Sequence, residues 1–145
     1  MKRLLFFDNG NYSRSPAAEV ICRTLAEKAG RDGDFAFASA GLIDKHVGGP
    51  ADPRTVAAVA ARGYTLDGFI CRQATPAIFA EFDEVLAMDA QNLAALRLAR
   101  RDGDRARVDF FLPNAEVPDP YYGGDAAFGP VIDAIEARAR AIVGA

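Results

Sequence analysis

Two stretches of this chain carry residue types that could do chemistry. The first is "DNGNYSRSP", Asp8 to Pro16. Gly10, its small or polar neighbours and an immediate helix start give backbone N–H groups that can point into one concavity, where the helix dipole adds partial positive charge. Arg14, six residues after Asp8, can present a planar fork to phosphate oxygens. Asn11, Ser13 and Ser15 can hydrogen-bond the loop into shape. The odd member is Asp8, an aspartate where an attacking atom would sit. The second stretch is Pro118-Asp119-Pro120-Tyr121-Tyr122. An aspartate fixed between prolines and followed by aromatics is a candidate general acid beside an aromatic wall. Each stretch alone also admits a plainer account. The first could be a capped helix with Arg14 on the surface, the second a rigid surface loop with ordinary tyrosines.

Something must position these residues, and the apolar pattern says what. Leu4 to Phe7 is a fully apolar run, the pattern of a strand buried on both faces. A helix follows, with Ser15 as its cap, Pro16 in its first turn and Glu19 complementing its dipole. Ala18, Ile21, Cys22, Leu25 and Ala29 share one face, and Gly30 ends it. Phe35 to Ser39 reads as a second strand, Glu84 to Met88 as a third and Val108 to Leu112 as a fourth. Asp52-Pro53 and Thr75-Pro76 each open a helix. Asp89 caps another, which carries Leu93, Leu96 and Leu98 to Arg101. A last helix bears Phe128, Val131, Ile132, Ile135 and Ile142. Apolar strands alternating with helices predict an α/β fold, a four-stranded parallel sheet with helices on both faces. Ligands of such sheets gather at the carboxyl ends of the strands, and Asp8, Gly41, Asp89 and the Asp119 loop all follow strands directly.

Composition narrows the class. The 145 residues are half hydrophobic and 26% charged, with a formal net charge of -3. One domain of this length buries a core without disulfides or metal. No global basic field suggests nucleic acid, and no apolar run approaches a membrane span. Met1 leads straight into a strand-like segment, so a cytoplasmic protein is expected. Cys22 and Cys71 have neither metal-ligand nor redox spacing, and Cys22 is expected to pack as a small hydrophobe. His46, the one histidine, reads as a solvated loop residue.

Taken together, the motifs resemble the low-molecular-weight protein tyrosine phosphatases, a family that includes bacterial arsenate-reductase relatives. That family carries C-x5-R-S-P after its first strand, and "DNGNYSRSP" occupies the place here. "SAG" at Ser39 to Gly41, "HVGGPADPR" from His46, "RGYTLDG" from Arg62, "CRQATP" from Cys71, "VLAMDAQN" from Val85 and "VPDPYYGG" from Val117 follow in the family's order. The resemblance spans nearly the whole chain, residues 1–145 as one domain. It implies the doubly wound, phosphotyrosine protein phosphatase I-like fold, with no cofactor and no metal. In the family a cysteine thiolate attacks phosphorus, the arginine and loop amides hold the phosphoryl oxygens, and the D-P aspartate protonates the leaving phenol. Carried over by position, Asp8 stands at the nucleophile, Arg14 binds phosphate and Asp119 is the general acid. Asn9, Gly10, Asn11, Tyr12, Ser13, Ser15 and Ser39 form and brace the loop. Lys45, Tyr121 and Tyr122 flank the substrate. The implied ligand is phosphate, a phosphorylated protein or a small phosphate monoester.

The departures are as informative as the matches. A thiolate is itself anionic, so the loop amides and Arg14 are expected to tolerate Asp8 and keep it ionised. A carboxylate is, however, a poorer nucleophile towards a phosphate dianion. Phe69 replaces the histidine that hydrogen-bonds the loop asparagine, Lys45 replaces a large aromatic, and Leu42 replaces a threonine. Three readings follow. One is a catalytically impaired pseudophosphatase, or an inactivated variant, that still binds phosphate or phosphorylated ligands. Asp8 then resembles the over-oxidised sulfinic form of a cysteine in charge and shape. Another is an active hydrolase forming an acyl-phosphate on Asp8. The third is a receiver-like phospho-acceptor domain using Asp8 or Asp89. Arsenate reduction needs thiol chemistry that the loop lacks.

Overall fold

A computed structural model describes residues 1–144. Its centre is β1 (Lys2–Asp8), whose alternate side chains feed opposite faces of the sheet. Leu4 and Phe6 enter one core and Leu5 and Phe7 the other, all nearly inaccessible to solvent. That is why the run is apolar throughout rather than alternating. β2 (Phe35–Gly41), β3 (Glu84–Ala87) and β4 (Arg107–Phe110) complete a sheet of order β2-β1-β3-β4. Every pairing is parallel, with Asp8 opposite Gly41 and Phe7 opposite Ala87. The four-stranded parallel sheet is thus as expected, with strand ends shifted by one or two residues.

Helices cover both faces. α1 (Arg14–Lys28), α2 (Pro53–Ala60) and α5 (Phe128–Val143) pack over Leu4 and Phe6, where Phe6 meets Phe111 edge to face at 5.3 Å between ring centres. α3 (Ile78–Glu81) and α4 (Ala90–Ala99) pack over Leu5 and Phe7. Two caps follow the expected chemistry. Asp52 accepts from Arg54 N at the start of α2, and Asp89 accepts from Asn92 N at the start of α4. Cys22 is fully buried in the α1 core.

Four local expectations are corrected. Ser15 does not cap α1. The helix begins one residue earlier, at Arg14, and Ser13 stands at the N-cap position without bonding the helix through its side chain. Its hydroxyl is instead 2.7 Å from that of Thr55. Glu19 does not serve the dipole of the first turn, for it accepts from Ser39 Oγ at 2.7 Å and pairs with Arg23. Leu98 lies on the outer face of α4 and is 89% exposed, since α4 ends at Ala99 and turns only its Leu93 and Leu96 face inward. Ala29 is exposed beyond the end of α1.

The chain leaves β1 towards β2 on one side and reaches β3 on the other. Neighbouring connections therefore diverge at the carboxyl end of β1, which opens a crevice there. Asp8 is the last residue of β1, and Asp89 follows β3 by one residue past Met88. Among the described residues no helix is long and apolar enough to cross a membrane.

Candidate functional site

The loop from Asn9 to Ser13 wraps around the Asp8 carboxylate. Asn11 N donates to Asp8 Oδ1 at 2.6 Å and Ser15 N donates to Oδ2 at 2.9 Å. Asp8 is 3% exposed. Burial is the largest influence on its carboxyl and pushes it above the usual carboxylate range; the charge of Arg14 and the bonds from Ser15 and Asn11 recover only part of that. The Ser15 and Asn11 amides and Arg14 favour the ionised form, as expected, while desolvation opposes them and is the larger influence.

Only two loop amides are spent on Asp8. Those of Asn9, Gly10, Tyr12, Ser13 and Arg14 have no acceptor among the described residues. Backbone donors without partners cost free energy unless a ligand or water takes them, and a ring of them at a helix start is an anion cradle.

The loop is held in this strained shape by side chains. Asn11 adopts a left-handed backbone, φ 52°, which is uncommon outside glycine. Its Nδ2 donates to Ser15 Oγ at 2.8 Å and Ser39 Oγ at 2.9 Å, while its Oδ1 accepts from Arg72 N at 2.9 Å. The Arg72 amide thus braces Asn11 without any side chain from position 69, and Phe69 packs against the core instead. From below, Gly41 lets the loop approach the sheet, for a Cβ there would stand 2.7 Å from Asn11 N and from the Gly10 carbonyl carbon.

Arg14 is buried and engaged by oxygen atoms on three sides. Its Nη1 donates to Asp89 Oδ2 at 2.9 Å and to the Val117 carbonyl at 2.8 Å, and its Nη2 lies 3.5 Å from Asp119 Oδ2. The guanidinium is thereby fixed in orientation at the cavity wall and linked to the loop that carries Asp119. Asp119 Oδ1 accepts from Tyr121 N at 3.0 Å, which shapes the short 3₁₀ turn Pro120–Tyr122. Arg54 ties this turn to α2, donating to Asp52 and to the Tyr121 carbonyl.

A cavity of about 130 Å³ opens over the loop. Asp8, Asn9, Gly10, Tyr12, Ser13 and Arg14 line its floor and sides; Lys45, Asp119, Tyr121 and Tyr122 stand at its mouth. Asn11, Ser15 and Ser39 lie behind it, in the bracing network. Asp89, expected at this edge of the sheet, orients Arg14, a role not read from the sequence. Two further contributors were missed. Ile43 adds an apolar wall. His46 is no solvated loop residue: its ring stacks on Tyr12 at 3.6 Å and 6°, half-buried at the cavity edge. Burial and the neighbouring Lys45 lower its pKa from the ordinary histidine value, disfavouring the imidazolium. Nothing in the local pattern marks that stack, since it depends on how a loop folds back. Cys71 is buried behind the loop, and burial with the charge of Asp8 pushes its thiol up to about 11, leaving it protonated at neutral pH.

The family model for low molecular weight phosphotyrosine protein phosphatase matches residues 3–145. A low molecular weight protein-tyrosine-phosphatase of Streptomyces coelicolor is 38% identical over 152 residues, covering 99% of this chain and 92% of that protein. The corresponding enzyme YfkJ of Bacillus subtilis is 36% identical over 131 residues, covering 86% and 84%. A crystal structure of the protein tyrosine phosphatase from Entamoeba histolytica, with Hepes in its active site, superimposes with a TM-score of 0.91 at 32% identity. It covers 99% of this chain and 95% of the other.

Proposed function

Because this chain belongs to the low molecular weight phosphotyrosine protein phosphatase family, we propose that it is a pseudophosphatase, a member that binds a phosphoryl group without cysteine-based hydrolysis. Asp8 stands at the position of the attacking sulfur. The loop from Asn9 to Ser15 and the Arg14 guanidinium hold the phosphoryl oxygens, and Asp119 is the acid across the cavity. The ligand is a phosphate monoester, foremost phosphotyrosine.

The observation that carries this reading is the set of loop amides. Asp8 takes Asn11 N and Ser15 N, while those of Asn9, Gly10, Tyr12, Ser13 and Arg14 remain for an anion. The carboxylate therefore leaves most of the cradle's donors unused. Arg14 turns to Asp89, Asp119 and Val117, and forms no ion pair with Asp8 that would close the loop.

An acyl-phosphate on Asp8 is the weaker reading. Both Asp8 oxygens are tied to amides, and burial disfavours the charged carboxylate that attack on phosphorus needs. A receiver-like role rests on Asp8 or Asp89 alone. Asp89, though, is spent on the α4 cap and on Arg14.

The test is Asp8→Cys. Release of p-nitrophenol from p-nitrophenyl phosphate is expected to rise by on the order of a hundredfold or more over the parent chain, because a thiolate splits the reaction into two easier steps. Loss of that gain on adding Asp119→Ala, with a phenol leaving group, would place Asp119 as the acid. An inert Asp8→Cys chain that is folded and binds phosphate would sink the reading that one side chain alone separates this protein from catalysis. Turnover by the parent chain, abolished in Asp8→Asn, would favour the acyl-phosphate instead.

A further inference from the structure

The mouth of the cavity carries basic groups in unequal states. Arg14 is committed to Asp89 and Asp119, and Arg54 to Asp52 while stacked on Phe128 at 4.6 Å. For His46 the charged form is disfavoured. Lys45 is different. Its ammonium pairs with no carboxylate among the described residues and leans on Tyr121, 3.4 Å from the hydroxyl and 5.3 Å from the ring centre. A cation held by an aromatic face keeps its charge available while losing part of its freedom. It lines the same cavity as the phosphoryl cradle, beside Tyr121 on the aromatic wall.

We propose that Lys45 makes this mouth selective for phosphotyrosine flanked by an acidic residue, the peptide carboxylate pairing with the ammonium while the phosphoryl group sits in the loop. This rests on the phosphoryl-binding reading above and adds the class of partner, an acidic phosphopeptide. Tyr121 and Tyr122, edge to face at 4.8 Å, supply a wall for the phosphotyrosine ring. Beside them, an aromatic residue at position 45 would add only more apolar surface. A lysine adds a charge that a neutral flank cannot use. The chain's net charge of -3 makes a local cation the means by which an acidic partner overcomes general repulsion.

The experiment measures binding by titration calorimetry of the parent chain with phosphotyrosine peptides whose flanking residues are Glu, Ala or Lys, and with phenyl phosphate. The Glu-flanked peptide is expected to bind roughly threefold to fivefold more tightly than the Ala-flanked one at low salt, the scale of an exposed ion pair, and the margin shrinks as salt rises. In Lys45→Ala the ratio falls to about one, Lys45→Arg keeps it, and Lys45→Glu reverses it in favour of the Lys-flanked peptide. Equal binding of all flanks by the parent chain, with phenyl phosphate still bound, overturns the role of Lys45 and leaves the phosphoryl site standing. Equal binding of the Glu-flanked peptide with and without its phosphate overturns the phosphoryl reading and, with it, the role given to Lys45. If neither phenyl phosphate nor any phosphopeptide binds, the underlying reading fails and Lys45 falls with it.

Discussion

At the scale of single residues, Asp8 decides how the loop responds to pH. Its folded pKa lies above the ordinary carboxylate value because it is buried. Between the ordinary value and the raised one, the folded chain holds a proton that the unfolded chain has lost. Stability from this group is thus complete below the unfolded pKa and is lost as pH rises through the folded one. The same proton governs anion binding. With Asp8 protonated the cradle holds no opposing charge; once ionised, a buried carboxylate faces the incoming anion. Sulfate, whose charge is constant over the range, is expected to bind less tightly as pH rises through the Asp8 pKa, by up to about tenfold per pH unit for one linked proton. Asp8→Ser removes that dependence and the matching fall in thermal stability. Calorimetric titration and melting at a series of pH values measure both, and a slope unchanged in Asp8→Ser would assign the proton elsewhere.

At the scale of elements, the site is made where β1, the loop and the end of β2 crowd together. The Asn11 network holds the loop from one side, and Gly41 admits it from the other. Gly41→Ala is expected to displace backbone rather than a pliant side chain. A cost of about 1–3 kcal/mol in urea melts follows, with loss of phosphate binding out of proportion to the stability lost. Unchanged binding in that variant would show that the loop can move without consequence. What was legible in the sequence follows the same division. β1 could be read because Leu4 to Phe7 serve two cores, and the Asp52 and Asp89 caps because their chemistry is local. Ser15 misled because the helix takes in Arg14 and turns Ser13 to Thr55, a partner 42 residues away. The Arg14–Asp89 pair joins residues 75 apart in sequence. It exists only because β3 lies next to β1, and strand order is not written in any one segment.

At the scale of the whole molecule, the fold separates rigidity from recognition. Two cores clamp β1 from opposite faces and fix Asp8, while the mouth is built from loops after β2 and β4. One contact made there reaches beyond binding. The sequence has no tryptophan and four tyrosines; Tyr12, Tyr121 and Tyr122 line the cavity, with Tyr12 flat against His46, and only Tyr64 lies elsewhere. The protein's native ultraviolet emission therefore originates mostly from the place a ligand enters. Phosphotyrosine peptide added to the parent chain should change that emission in step with occupancy, the stacked Tyr12–His46 pair acting as a built-in optical gauge. Tyr12→Phe should diminish the signal, and an emission change that persists there in full would trace it to Tyr121 and Tyr122 instead.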